Sequence, residues 1–191
     1  MSKRLLSTAL VAGLGVAAFA ANAAQPGTGL INIGGKITSA SCSISVNGSG
    51  NSNATVTLPT VQTSDLGADG IATGYTAVTI ALSGCVAGTD TPALTSVRPY
   101  FEQGPTTDLV TGFLKNAVGG GNATNVEVML SKTADTTGKL DLSKGPGAQG
   151  VDAVAFSGTP TFTYYAAYIA KGGAASSGSV STSVQYTLDY L

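Results

Sequence analysis

Short runs in which apolar and polar residues alternate recur along most of this chain, and they restrict it to a fold built from strands. Apolar side chains at every second position give an extended strand one face that packs on a core. The clearest runs lie at 77–82, 126–130, 162–168 and 180–190, and loops rich in Gly, Ser and Asn separate them. Seven or eight such strands without a helical period predict an all-β fold, an antiparallel sandwich of immunoglobulin-like type.

The last of these runs lacks an obvious neighbour. It alternates from Val180 to Tyr190 and ends at Leu191, so one of its edges needs a partner from earlier in the chain or from another molecule. Proteins protect or pair such an edge because unpaired N–H and C=O groups attract further strands.

The first 23 residues have the composition of a secretory signal peptide. Lys3 and Arg4 precede an apolar run, and Ala21 to Ala23 gives a small-x-small cleavage pattern. The apolar run is too short to span a membrane comfortably, and no later stretch is a candidate span. The sequence therefore predicts export of one mature domain through the periplasm.

The only two cysteines of the chain are Cys42 and Cys85. Export places them in an oxidising compartment, so we expect a disulfide between them. Closing a loop of this length stabilises a domain by about 4 kcal/mol in the chain-entropy model. The alternative, a reactive thiol pair, lacks a close C-x-x-C spacing.

Charge and residue types argue against catalysis, metal binding and nucleic-acid binding. The net charge is −1, there is no His, and the few Lys and Arg residues are scattered. Glu102 and Glu127 stand isolated, and the pair Asp65 and Asp69 lacks the dense oxygen spacing of a calcium loop. We therefore expect no enzyme activity, no cofactor and no metal.

The stretch from Gly27 to Cys42 begins like an arm and ends like a first strand. Ile31, Ile33 and Ile37 share one face at two-residue spacing, which predicts a strand, whereas the residues before Leu30 read as a tail. The predicted organisation is a signal peptide at 1–23, an arm at 24–36 and a domain at 37–191, with the arm held by another copy of the protein.

Five segments together resemble the pilin subunits of chaperone–usher fimbriae, in particular the type 1 major-subunit class. They are GLINIGGKITSASC (29–42), AVTIALSGC (77–85), ATNVEVMLSKTADTTGKLDL (123–142), TYYAAYIAKGGAA (163–175) and the closing VQYTLDYL. The likeness covers nearly all of the mature chain, and it places Tyr190 in the penultimate position that the family favours.

The resemblance implies a six-stranded, incomplete immunoglobulin-like domain that lacks its seventh strand and is completed by a donor strand from another subunit. Such subunits polymerise by donor-strand exchange into a surface fimbria of a Gram-negative bacterium that supports cell adhesion. A periplasmic chaperone first fills the groove, and the arm of the next subunit replaces it at an outer-membrane usher. By position, the inward donor residues are Gly29, Ile31 and Ile33.

The same resemblance assigns the C-terminal strand to the acceptor side of the groove. Its residues there are Val184, Tyr186, Leu188 and Tyr190. It further implies that basic residues of the chaperone grip the carboxylate of Leu191.

The main alternative is a self-contained, secreted carbohydrate-binding sandwich. In that case Tyr164, Tyr165 and Tyr168 form a platform on which sugars stack, although the chain has no Trp. The arm separates the two hypotheses, because a binding module tolerates its loss and a pilin does not. A tip adhesin needs a second, receptor-binding domain that this length cannot hold.

Overall fold

The described chain consists of eight strands and one short 3-10 helix. The structure is a computed structural model that describes residues 31–89, 91–156 and 158–191. The helix is Thr63–Leu66. The strands are β1 (Ser41–Val46), β2 (Ala72–Val86), β3 (Ser96–Phe101), β4 (Leu114–Lys115), β5 (Val126–Ser131), β6 (Val154–Ala155), β7 (Thr161–Ala170) and β8 (Tyr186–Tyr190).

The strands form two antiparallel sheets with a shared core. The larger sheet has the order β1-β2-β7-β5-β4, and the smaller has the order β6-β3-β8. Buried side chains of both sheets meet in one cluster, with Ile80 and Tyr164 from the larger sheet and Val97 and Phe101 from the smaller. Residues Ile37–Leu191 form one compact unit. The predicted all-β antiparallel sandwich is confirmed.

The predicted disulfide is present and joins two neighbouring strands. Cys42 in β1 is bonded to Cys85 in β2, with their Cα atoms 4.1 Å apart. The two strands pair from Ser41 opposite Val86 to Val46 opposite Ile80, with a register shift close to the disulfide.

Pro99 lies in β3, the middle strand of its sheet, although a proline within a sheet is usually confined to an edge strand or a bulge. The main-chain groups of Phe101, two residues on, point away from β8, and both bond the side-chain amide of Gln149, which is only 2% exposed. The main-chain nitrogen of Pro99 faces the same edge of β3, the edge away from β8. Strand β6 does not reach Pro99 there, because its pairing with β3 is limited to Ser96 and Val97. The missing N–H of the proline therefore costs no ladder bond.

Three stretches that alternate like strands are not part of either sheet. Residues 31–40 form no strand, so the strand predicted through Ile31, Ile33 and Ile37 was wrong, and β1 begins only at Ser41. Residues 54–58 and 180–185 likewise lie outside the strands. Alternation shows that a stretch can form a strand, but a strand also needs a hydrogen-bonded neighbour. No helix of the described chain has the length and apolar character needed to cross a membrane.

Candidate strand-binding groove

Two extended segments form the walls of a groove at the surface of the domain. One wall is 54–58 and the other is 180–184, and both line the same cavity. Val56 and Leu58 of the first wall are half-buried and pack against the main core, as Val180 and Val184 of the second wall do. Their polar neighbours face outwards, so each wall has the two-sided character of a strand.

Where they border the groove, the main-chain groups of both walls have no hydrogen-bond partner among the described residues. Along 180–185, the odd-numbered residues bond the rest of the domain, with Ser181 O accepting from Ala117 N at 2.9 Å and Gln185 O accepting from Glu102 N at 2.8 Å. Neither the main chain of residues 180, 182 and 184 nor that of 54–58 bonds any described residue. In an extended segment, alternate residues direct their N–H and C=O groups to opposite edges, so each wall offers a free strand edge.

The floor of the groove is apolar and belongs mainly to the larger sheet. The cavity has a volume of about 630 Å³. Side chains that form its floor include Val78, Ile80, Leu114, Val128, Leu130, Tyr164, Ala166 and Tyr168. No charged residue is among the described residues that line it. Burial raises the pKa of the hydroxyls of Tyr164, Tyr168 and Tyr186 above the ordinary value for tyrosine, so these groups stay neutral.

The two ends of the groove differ. At one end the hydroxyl of Tyr186 donates a hydrogen bond of 2.8 Å to the carbonyl oxygen of Ser52, just before the first wall. At the other end lies Tyr168, which packs over Gly74 close to Pro59. Tyr168 and Val180 of the second wall pack against the same small cluster around Val126 and Ala170. The first wall therefore runs antiparallel to the second.

Thr182 is a polar exception in the middle of the second wall. Its side-chain oxygen is buried and has no hydrogen-bond partner in the part of the chain that the structure describes. The threonine separates Val180 from Val184 along the inward face of this wall.

The residues assigned to the acceptor side occupy two different places. Val184 and Tyr186 line the groove, whereas Leu188 and Tyr190 lie farther along β8 and are half-buried against the core. At the chain end, the main-chain oxygen of Leu191 accepts hydrogen bonds from Thr95 N at 2.7 Å and Ser96 N at 3.1 Å.

The residues assigned to the donor arm are only partly described. Gly29 lies outside the described residues. Ile31 and Ile33 are 84% and 92% exposed, an unusual state for large aliphatic side chains that share one face of a segment.

The wall 54–58 was not assigned to a site from the sequence. The only signal for it was the alternation through Val56 and Leu58 before Pro59, in a stretch with no identifiable partner.

The three tyrosines proposed as a sugar platform do not share a surface. Tyr164 and Tyr168 line the groove, and Tyr164 is buried against Phe101 with ring centroids 5.3 Å apart. Tyr165 follows Tyr164 directly in β7, so its side chain lies on the opposite face of the sheet. This geometry removes the observation on which the carbohydrate-binding alternative depended.

An uncharged, apolar groove between two free strand edges can bind an extended peptide. Main-chain groups of such a peptide can bond both walls while alternate side chains enter the floor. The arrangement defines an immunoglobulin-like sandwich that lacks one strand.

Sequence relationships identify the family to which this sandwich belongs. Residues 58–191 match the family described as type-1 fimbrial protein, A. The chain is 37% identical over 182 residues to the F17 fimbrial protein of Escherichia coli, covering 93% of this chain and 96% of that protein. It is 35% identical to the major fimbrial subunit SMF-1 of Stenotrophomonas maltophilia, covering 93% of this chain and 99% of that protein. The chain therefore belongs to the type-1 fimbrial protein family.

A solved structure agrees with this fold. A subunit chain from a chaperone–usher pilus, solved in work on rod uncoiling, superposes with a TM-score of 0.59 at 20% identity, covering 87% of this chain and 97% of that one. The protein is thus a structural subunit of a fimbria at the bacterial surface.

Proposed function

We propose that this subunit polymerises by donor-strand exchange, with the arm at 24–36 of one copy seated in the groove of the next. The observation that carries the proposal is the pair of strand edges at 54–58 and 180–184. On the side of the groove these edges have no main-chain partner among the described residues, and they border an apolar floor to which no described charged residue contributes. The arm supplies the complementary pattern. Gly29, Ile31 and Ile33 occupy every second position, so they share one face of an extended segment, and none of them carries a charge.

The energies involved favour a stable polymer. Burying Ile31 and Ile33 contributes about 1.5 to 3 kcal/mol for each side chain. Every main-chain hydrogen bond to a wall adds about 0.5 to 1.5 kcal/mol net. A full donor strand therefore contributes an amount comparable to the whole stability of an ordinary domain, about 5 to 15 kcal/mol. We expect the empty subunit to be marginal and the filled subunit to be very stable.

The same groove explains why helper proteins belong to the proposal. A newly exported subunit with free strand edges is prone to aggregate, so a periplasmic chaperone that lends a strand protects it until an outer-membrane usher supplies the next arm. The contact of the chaperone with the carboxylate of Leu191 is part of the proposal. The resulting homopolymer supports cell adhesion, and the role of the subunit is structural and not catalytic.

The proposal is tested with protein that lacks residues 24–35 and a synthetic peptide of residues 24–37. Saturating peptide at a thousand times its Kd stabilises a protein by about 4 kcal/mol. For a domain of this size that corresponds to a rise in melting temperature of roughly 8 to 16 °C. Titration should saturate at one peptide per protein.

One control peptide and one contradicting outcome define the result. A peptide with Ile31→Asp and Ile33→Asp keeps the length and main chain but places charges on the apolar floor, so it should leave the melting temperature unchanged. If the truncated protein is already stable and the unaltered arm peptide changes nothing, the sandwich is complete without a donor and the proposal is wrong.

A further inference from the structure

The turn that follows β1 contains an Asn–Gly pair that does not line the groove. Asn47 and Gly48 both have positive φ values, of 50° and 71°, and Ser49 N donates to Val46 O at 3.0 Å to close the turn. Glycine adopts this conformation freely, and asparagine adopts it more readily than most other residues. The pair is the only Asn–Gly sequence in the chain. The turn therefore places a side-chain amide directly before a residue that has no side chain to shield its nitrogen.

The side-chain amide of Asn47 takes the place of a main-chain group in the ladder between β1 and β2. Asn47 N donates to Thr79 O at 2.9 Å. In return, Oδ1 of Asn47 accepts hydrogen bonds from Thr79 N at 2.8 Å and from the Thr79 hydroxyl at 3.3 Å. Two donors thus hold the amide oxygen, whereas Nδ2 of the same amide bonds no described residue.

This arrangement suits an attack by the next main-chain nitrogen on the amide carbon. The amide oxygen gains negative charge as the tetrahedral intermediate forms, and donors fixed on that oxygen lower the barrier, as they do in an oxyanion hole. The nitrogen of Gly48 bonds no described residue, and a Cβ atom on Gly48 would meet nothing within 4 Å, so the space around it is open. Both residues are exposed, so water and base reach them.

We propose that Asn47 and Gly48 form a site of spontaneous modification, at which the chain converts the asparagine through a cyclic imide. The Gly48 nitrogen gives up its proton to base and bonds Cγ of Asn47, and the amide nitrogen takes up a proton and leaves as ammonia. One water molecule then opens the ring at either of its two carbonyl groups. The products are aspartate, with the original main chain, and isoaspartate, in which the main chain runs through the side chain. The reaction consumes one water, releases one ammonia and needs no donor strand.

The conversion changes the edge of the groove as well as the turn. Val46 lines the groove, and the loop after Gly48 leads to Ser52 and the first wall. Aspartate adds a negative charge beside this lining but keeps an acceptor for Thr79 N. Isoaspartate also adds a methylene group to the main chain, so the pairing of position 47 with Thr79 is lost. A subunit that stays in a fimbria for a long time therefore changes first at this turn.

Peptide mass mapping of purified mature protein during incubation in mildly alkaline buffer tests the assignment. Asn47 should convert before any other asparagine, and Asn51, which precedes Ser52 in the same loop, is the internal comparison. Thr79→Val removes the hydroxyl and keeps the shape and the N–H, so it should slow the conversion about twofold to tenfold. Thr79→Ser, which keeps the hydroxyl, should react at close to the native rate. Thr163→Val, opposite Thr79 on β7, should leave the rate unchanged.

A second measurement needs no variant, so it remains decisive if Thr79→Val does not fold. Ring opening yields both aspartate and isoaspartate at position 47, whereas direct hydrolysis of the amide by water yields aspartate alone. Chromatography of the peptide and labelling by an isoaspartate methyltransferase distinguish the two products. Aspartate alone, an unchanged Asn47 when Asn51 has reacted, or equal rates in the native and Thr79→Val proteins overturns the inference and leaves donor-strand exchange intact.

Discussion

Glu127 is an acidic residue that the fold buries outside the groove. It lies in β5 opposite Lys115 of β4 and is 9% exposed. Burial raises the pKa of its carboxyl above the ordinary value, and the nearby Asp108 adds to the rise. The hydroxyl of Thr111, which donates to the carboxylate at 2.8 Å, and the charge of Lys171 oppose it. The net effect is a carboxyl that keeps its proton longer in the folded chain than in the unfolded one.

This shift predicts a pH dependence with a definite sign. Between the pKa of about 4.3 in an unfolded chain and the higher pKa in the folded one, the folded state binds more protons. The free energy of unfolding therefore falls as pH rises through that window. Glu127→Gln removes the titration and keeps the size and an acceptor oxygen, so the variant should gain stability relative to the native protein between pH 4 and pH 7.

Urea midpoints of both proteins, measured at pH 4 and at pH 7, check this prediction. The matched variant is Glu102→Gln, which alters a less buried glutamate of the same chain. Parallel pH profiles of the native protein and Glu127→Gln would show that burial of this carboxyl has no thermodynamic consequence.

At the scale of elements, a bulge in β2 shapes the far end of the groove. The pairing of β2 with β7 shifts register between Thr73 and Thr76. Gly74 between them has a φ of 76°, and a Cβ atom there would lie 2.9 Å from the ring of Tyr168. The bulge thus brings the main chain of β2 directly against the tyrosine that bounds the groove.

Replacing this glycine should damage both the fold and the groove. Gly74→Ala should cost about 2 to 4 kcal/mol, from the left-handed backbone and from overpacking against Tyr168. Gly84→Ala is the matched control, because Gly84 also has a positive φ, of 57°, but a Cβ there meets nothing within 4 Å. It should cost only about 1 to 2 kcal/mol.

Urea unfolding and titration with the arm peptide measure the two effects. Only Gly74→Ala should weaken peptide binding, since only this variant displaces Tyr168. Equal losses of stability in the two variants, with unchanged peptide affinity, would mean that the ring moves aside freely.

Alternation in the sequence located most of the strands but not their partners. The runs that became β2, β5 and β7 are clear in the sequence, because each has one face on the core. The runs at 31–37 and 54–58 show the same pattern without forming strands, since pairing depends on a neighbour that lies far away in the chain or outside it. The position of Pro99 in a middle strand could not be predicted for a similar reason, because the early end of β6 cannot be read from the sequence.

At the scale of the whole molecule, the stability of a sandwich that lacks one strand depends on few connections between its strands. The disulfide could be predicted because compartment and cysteine count determine it, and the C-terminal wall could be expected from the unpartnered last run. The wall at 54–58 and the hydrogen bond from Tyr186 to Ser52 could not be predicted. The bond joins residues 134 positions apart, and the sequence does not identify the neighbours of the wall. The resemblance implied a groove, and two main-chain edges that bond no described residue on the side of the groove give it a physical basis.

The disulfide should therefore matter more in the empty subunit than in the polymer. The bridge between Cys42 and Cys85 spans 43 positions and stabilises the chain by about 4 kcal/mol. In protein that lacks residues 24–35, Cys42→Ala with Cys85→Ala should remove most of the cooperative urea transition, and saturating arm peptide should restore it. Ser43→Ala, a neighbouring change on the same strand, should leave the transition intact. If the empty double variant unfolds at an unchanged urea midpoint, the empty subunit is not marginal, and donor insertion is not what keeps the domain folded.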